Sequence, residues 1–369
     1  MRTSCPGKVM LAGEWAVLEA QKPCLVLAVN KRMTVEIKED TKTSISSEDF
    51  NISCLEITAK NRKAFPEMLF VFEAIEKSLL YLESNQVASK HFSLVIRSGI
   101  NKDISRANRK SKVGFGSSAA VVVAVVGAVL ALHQLKIESF ADKVRVFKLA
   151  SLAHYVAQGQ KGSSFDVAAS VFGGIVFYQK TDYKKLMTML EKKGLKKIID
   201  TRWPGLFLES LEIPDSFKLL VAFCGNAAKT SELILRVQVF KKKNPSEYQS
   251  IVLAIETVVL KMKEALIQND LNFLKKLIHK NRQLLKELGE KSGVKLETLA
   301  LSRIIELANK KGAAAKFSGA GGGDIAIAIC SDAAEQKEVK NIWQKNHIQL
   351  IPVQIDSDGL LLEKNKKIG

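Results

Sequence analysis

The chain has 369 residues, 47% of them hydrophobic and 25% charged, with a formal net charge of +18. This is the composition of a soluble globular protein with length for roughly two domains. The positive excess suggests anionic partners, but it lies in scattered clusters such as Lys184-Lys185, Lys192-Lys193 and Lys241-Lys242-Lys243, with no aromatic residues between them to stack on bases. Solvated helix faces are therefore the favoured reading of the clusters, and nucleic acid is not an expected partner. Cys5, Cys24, Cys54, Cys224 and Cys330 are odd in number and widely spaced, with no metal-ligand spacing, and read as reduced core residues. No charged-then-apolar leader precedes Cys5-Pro6-Gly7, so a cytoplasmic address is expected.

Ser4-Cys-Pro-Gly-Lys8 leads into Val9 to Ala12, a short strand signal. Leu25 to Val29 and Met33 to Ile37 read as two further strands. Glu67 to Glu83 carries Leu69, Phe72, Ile75, Leu79 and Leu82 at helical spacing, and Phe92 to Ile96 is a strand candidate. Asn101 to Lys112 is a polar, basic loop.

That loop runs into Lys112-Val-Gly114-Phe-Gly116-Ser117-Ser118-Ala119-Ala120 and an apolar run to Leu132. Glycine lets a backbone turn tightly and approach a ligand closely. Ser117 or Ser118 is expected to cap the helix, whose first N–H groups and positive dipole end make an anion site. With the Lys112 charge nearby, the segment reads as a phosphate cradle. The run is too short for a membrane span, which needs about 20 apolar residues. A dinucleotide reading of Gly114 to Ala119 fails because no strand precedes it and no acidic residue closes a following strand. A P-loop lysine after the last glycine is also absent.

Ser139 to Gln158 reads as a second amphipathic helix, ending in a loop, Gly159 to Ser164, that delivers Asp166. An N-cap or surface turn is one reading of that carboxylate; a group facing Lys8 and a phosphate is the other. Tyr183 to Arg202 is lysine-rich, and the domain junction is placed there, dividing the chain into 1–195 and 196–369. Beyond it come a strand at Lys218 to Phe223, helices within Thr230 to Lys310, strands at Ala313 to Phe317 and Ile325 to Cys330, a helix at Ala333 to Asn346, and a last strand at Ile348 to Ile355. This order predicts a ferredoxin-like split βαβ with an enlarged first helical layer. Ser318-Gly-Ala-Gly-Gly-Gly-Asp324 lies between the paired strands as a bulged hairpin, or as a second loop closing over phosphates. The tail from Lys364 reads as disordered.

Three segments in this order resemble the motifs of the GHMP kinase superfamily: Cys5-Pro-Gly-Lys-Val-Met-Leu-Ala-Gly-Glu14, Gly114 to Ala120, and Lys316 to Asp324. Phe115 stands where leucine is usual. Asn281-Arg-Gln-Leu-Leu285 is a further similar stretch. Gly13-Glu-Trp-Ala-Val-Leu-Glu19, Lys112 to Ser118 and Gly159 to Ala169 look most like the members whose acceptor is (R)-5-phosphomevalonate, with Ser164 replacing the usual glycine. Ala227-Ala-Lys-Thr230 follows the expected substrate-side segment only loosely. The resemblance implies a two-domain α+β GHMP kinase fold and ATP-dependent phosphoryl transfer with Mg2+. It implies that Lys112, Gly114, Gly116, Ser117, Ser118 and Ala119 hold the ATP phosphates, with Ser118 on the metal. Lys8 and Asp166 would sit at the transferred phosphoryl. Ser163 and Ser164 would lie beside the acceptor, with Gly319, Ala320 and Gly321 closing the site. The expected partners are ATP and phosphomevalonate, with no nucleic acid and no membrane, in a monomer or homodimer. Mevalonate as acceptor, and a metabolite-binding protein without catalysis, are the alternatives.

Overall fold

A computed structural model describes residues 1–100, 114–225 and 230–363. Lys112, the polar loop before it, residues 227–229 and the tail from Lys364 lie outside them. The first sheet runs in the order Leu361–Glu363, Arg2–Ala12, Pro23–Glu39, Phe92–Ser98, Ser44–Ser47, Ile52–Glu56. The expected strands at 25–29 and 33–37 are two halves of one 17-residue strand, Pro23–Glu39. Its first half pairs with Ile175–Gln179 and its second with Phe92–Ser98. Between the halves the register against the first strand jumps, with Gly7 facing Val29 but Pro6 facing Arg32. Asn30 and Lys31 fill that bulge, which is why their polarity reads as a turn. The short strands at 44–47 and 52–56 carried too little alternation to be expected.

The helix Ser117–Leu132 crosses this sheet buried on almost every side, as an all-apolar helix must be. No described helix is long and apolar enough to cross a membrane. The helices Leu69–Ser84, Phe140–Ala157 and Phe165–Phe172 pack around it. Phe140–Ala157 starts on a capping box between Ser139 and Asp142.

The second sheet is antiparallel in the order Gln349–Ile351, Lys218–Phe223, Ile325–Cys330, Ala314–Phe317. This is the ferredoxin-like arrangement expected from the element order. Four helices between residues 230 and 309 enlarge its helical layer. The position 195/196 falls inside the helix Tyr183–Asp200, beside a break at Gly194, where φ is +75°. The following strand, Phe207–Leu211, still pairs with Ile175–Gln179, so the chain passes to the second sheet between Leu211 and Lys218. Leu361–Glu363 then returns to pair with Arg2–Ser4.

Candidate active site

Lys8 lies on the first strand, and its N–H donates to the Phe115 carbonyl at 2.8 Å. The cradle loop therefore rests directly on that strand. A Cβ on Gly7 would lie 2.8 Å from the same carbonyl, so only glycine permits the approach. The Lys8 Nζ donates to the Gly114 carbonyl at 2.5 Å. Burial pulls the Lys8 ammonium below the usual lysine range, while Asp166, Asp324 and Glu14 oppose that and favour the charged form.

Gly116 takes the N-cap position in the left-handed region, at φ +75°. The expectation of a serine cap is corrected: no side chain caps this helix. Ser117 and Ser118 already lie inside its first turn, beyond the place from which a cap reaches back. The first helical bond runs from the Ala120 N–H to the Gly116 carbonyl, 3.1 Å. The N–H groups of Ser117, Ser118 and Ala119 thus have no acceptor within the helix and remain available to an anion. The Ser118 hydroxyl lies 3.1 Å from His154 Nε2. That imidazole is buried, and burial lowers its proton affinity, with Asp166 opposing.

Asp166 sits in the first turn of Phe165–Phe172, with Oδ2 4.0 Å from His154 Nε2. A Cβ placed on Gly116 would fall 3.2 Å from the Lys8 Cγ and 3.6 Å from the Asp166 Cβ. Lys8, Gly116, Ser118 and Asp166, which lie on three separate stretches of sequence, are thereby brought together around the helix start. Ser163 and Ser164 are buried beside them. The Ser163 carbonyl accepts from Tyr178 Oη at 2.5 Å, and the Ser164 hydroxyl is bonded to Tyr183. Ser164 holds φ +64°, the conformation that makes glycine usual at such a position.

The third motif reaches the site from the second sheet. The Ser318 Oγ accepts the Met10 N–H at 2.7 Å. The Gly322 N–H donates to the Leu296 carbonyl at 2.6 Å, which fixes the glycine run. Gly319 and Ala320 line a cavity of about 100 Å³ with Met10, Trp15, Phe165 and Ile234, beside the turn that carries Asp166. Lys316, fully buried, forms an ion pair with Glu14, and the Asn281 Nδ2 donates to the same carboxylate at 3.2 Å. This joins the first motif to the third and to the helix Leu271–Ser292. Lys316→Met should lower stability by about 3–5 kcal/mol, because it strands a buried carboxylate. Adding Glu14→Gln should recover much of the loss, as read from denaturant midpoints; an unchanged midpoint in the single variant would contradict this account.

Sequence reasoning missed His154, Asp324 and the Glu14–Lys316–Asn281 cluster as working parts. Glu14, Lys316 and Asp324 lie inside recognised motifs, but nothing in one dimension pairs them. His154 carries no sequence signal, since an isolated histidine in an amphipathic helix reads as an ordinary residue.

A family model described as GHMP kinases N terminal domain matches residues 70–174, and one described as GHMP kinases C terminal matches residues 262–349; together they span just over half of the chain. A phosphomevalonate kinase of Streptomyces sp. (strain CL190) is 28% identical over 357 residues, which is 92% of each protein. A mevalonate kinase of Pyrococcus furiosus is 26% identical over 382 residues, covering 98% of each. Among solved structures, Streptococcus pneumoniae phosphomevalonate kinase in complex with phosphomevalonate and AMPPNP is 27% identical. It superposes with a TM-score of 0.82 over 96% of this chain and 99% of that one.

Proposed function

The chain belongs to the GHMP kinase superfamily, and from that premise we propose that it transfers the γ-phosphoryl group of ATP to (R)-5-phosphomevalonate, giving 5-diphosphomevalonate and ADP. The observation that carries this reading is the convergence of all three motifs on Lys8: its ammonium bonds the cradle at Gly114 and is flanked by Asp166 and Asp324. Phosphoryl transfer asks chiefly for positioning and neutralisation of charge. The open N–H groups of Ser117, Ser118 and Ala119 receive ATP phosphate oxygens. Lys8 offsets the repulsion between acceptor phosphate and transferred group, which grows toward the transition state. The cavity edged by Gly319 and Ala320 is mostly apolar and takes the carbon skeleton of the acceptor, with Gly321 holding the loop and Ser163 and Ser164 assigned to the acceptor's side of the site.

A Mg2+ ion fits this donor set. Ser118 and Asp166 present hard oxygens that both lie near His154 Nε2. No group of three or more His, Cys, Asp and Glu side chains gathers as a metal site among the described residues. The ion would accordingly be held by Ser118, Asp166 and phosphate oxygens, as is usual for magnesium at nucleotides. When bound it supplies neutralisation of phosphate charge. The reading is of a cytoplasmic enzyme with small-molecule partners, as a monomer or homodimer.

The acceptor sets what Asp166 must do. An alcohol acceptor loses a proton as it attacks and needs a base. A phosphate monoester has its second pKa near ~6 and is largely dianionic at neutral pH. For phosphomevalonate, Asp166 therefore binds and orients without taking a proton. ADP release measured with mevalonate and phosphomevalonate side by side should show preference for phosphomevalonate. Activity should fall below about pH 6 as the acceptor is protonated, and Asp166→Asn should keep measurable turnover with a raised Mg2+ requirement. Preference for mevalonate, with Asp166→Asn inert, would sink the reading.

A further inference from the structure

The third glycine run ends on a residue that the roles above leave unused. Asp324 follows Gly323, and its backbone holds φ +72°, a left-handed conformation costly for any residue with a side chain. Its Oδ2 accepts the Gly114 N–H at 2.8 Å. Its Oδ1 is buried with no hydrogen-bond partner among the described residues. Among the described residues, Lys8, bonded to the carbonyl of the same glycine, is the cation that acts on this carboxylate. Gly114 is thus gripped at its N–H from the second sheet and at its carbonyl from the first.

A Cβ on Gly114 would overlap the Asp324 Oδ2, while its φ lies outside the left-handed region. Glycine is required there by the carboxylate and not by the backbone. Burial pushes the Asp324 carboxyl up to about 6, against the opposing pull of Lys8 and the Gly114 N–H. A carboxyl whose pKa rises on folding binds its proton more tightly in the folded state. Its ionised form therefore costs stability at neutral pH, and that cost is relieved as pH falls through 6. Strained backbone and desolvated ionisable groups of this kind cluster at functional sites.

We propose that Asp324 is a positioning residue for phosphoryl transfer: its carboxylate holds the Gly114 end of the cradle and the Lys8 ammonium in register, so that the glycine loop of the second sheet sets the geometry of the phosphate site. This rests on the kinase reading above. Among the described residues, the groups facing Lys8 are Asp166 from the helix Phe165–Phe172, Asp324 from the glycine loop and Glu14 from the first motif. Removing the Asp324 charge leaves two of these three to keep Lys8 protonated.

Three variants of the whole enzyme test this. Asp324→Asn keeps an acceptor for the Gly114 N–H and tolerates the left-handed backbone. Asp324→Gly removes the side chain and the strain together. Gly114→Ala presses a methyl against the carboxylate. Both Asp324 variants should melt no lower than wild type. In Asp324→Asn, kcat should fall about tenfold with KM for ATP changed less than about twofold, and the alkaline limb of kcat/KM should move to lower pH. Gly114→Ala should be costly alone but add little in the Asp324→Gly background, the non-additivity of groups in contact. An unmoved alkaline limb, or fully additive losses, overturns the proposal. Calorimetric binding of Mg-AMPPNP repeats the Gly114–Asp324 cycle without turnover. If the wild type binds nucleotide but phosphorylates no acceptor, the kinase reading fails by itself, and additivity in the binding cycle then decides the role of Asp324.

Discussion

Lys8→Met is expected to lower kcat by about a thousandfold, the scale on which a single preorganised charge acts at a developing transition state. The ammonium lies where the cradle, the Asp166 helix and the third motif meet, bonded to Gly114 and set between carboxylates. Methionine preserves most of the unbranched chain, so packing against Phe165 survives. The lost charge leaves no strongly stranded anion, because burial already raises the Asp324 carboxyl to about 6 with Lys8 present, and losing Lys8 favours its neutral form further. The melting temperature should therefore change little while turnover collapses. A large fall in melting temperature with near-normal turnover of the remaining folded protein would make Lys8 a structural residue.

Gly116→Val should abolish useful nucleotide binding, with kcat/KM down by at least about a hundredfold. Two independent effects act at this position. The φ of +75° is strongly disfavoured for a β-branched side chain, at a cost of about 1–3 kcal/mol. The new Cβ would also lie 3.2 and 3.3 Å from the Lys8 Cγ and Cε, displacing that lysine. The buried helix beyond, Ala119 to Leu132, is untouched and should keep the protein folded. Ser118→Ala leaves the backbone intact and should instead raise the Mg2+ concentration needed for half-maximal rate. Isothermal titration with Mg-AMPPNP and a magnesium titration of turnover separate the two variants; wild-type affinity in Gly116→Val would end the cradle assignment.

The sequence carried the local parts of this machine, because their causes are local. Glycine spacing, the all-apolar run after Ser118 and the order of strand and helix signals beyond Lys218 depend on periodicity and backbone freedom, which are properties of neighbours in the chain. They were enough to place the glycine loop ahead of the buried helix, the ferredoxin-like half and the resemblance to GHMP kinases. Where a local signal met a long-range one, the tertiary structure prevailed. Asn30-Lys31 has the polarity of a turn but is a bulge inside a continuous strand, because the first strand supplies a partner on both sides of it.

Contacts between distant residues were decided only by folding. Ser118 bonds to His154 and not to its own helix start. The Ser164 hydroxyl is bonded to Tyr183. The buried pair of Glu14 with Lys316, 302 positions apart, locks the first motif to the third. Asp324 reaches across 210 positions to the cradle N–H. The first two depend on helices packed side by side on the first sheet, and the last two on the second sheet's elements reaching the first motif and the cradle. Hydrogen bonding and Coulomb attraction act through space over a few ångströms, with no trace in residue spacing. By itself the sequence determined a glycine-led helix start and singled out Lys8 and Asp166 as the lysine and carboxylate expected beside it. Folding decided which carboxylates surround that lysine, Asp166 from a neighbouring helix, Glu14 from its own motif and Asp324 from the second sheet's glycine loop, and hence how its charge is held.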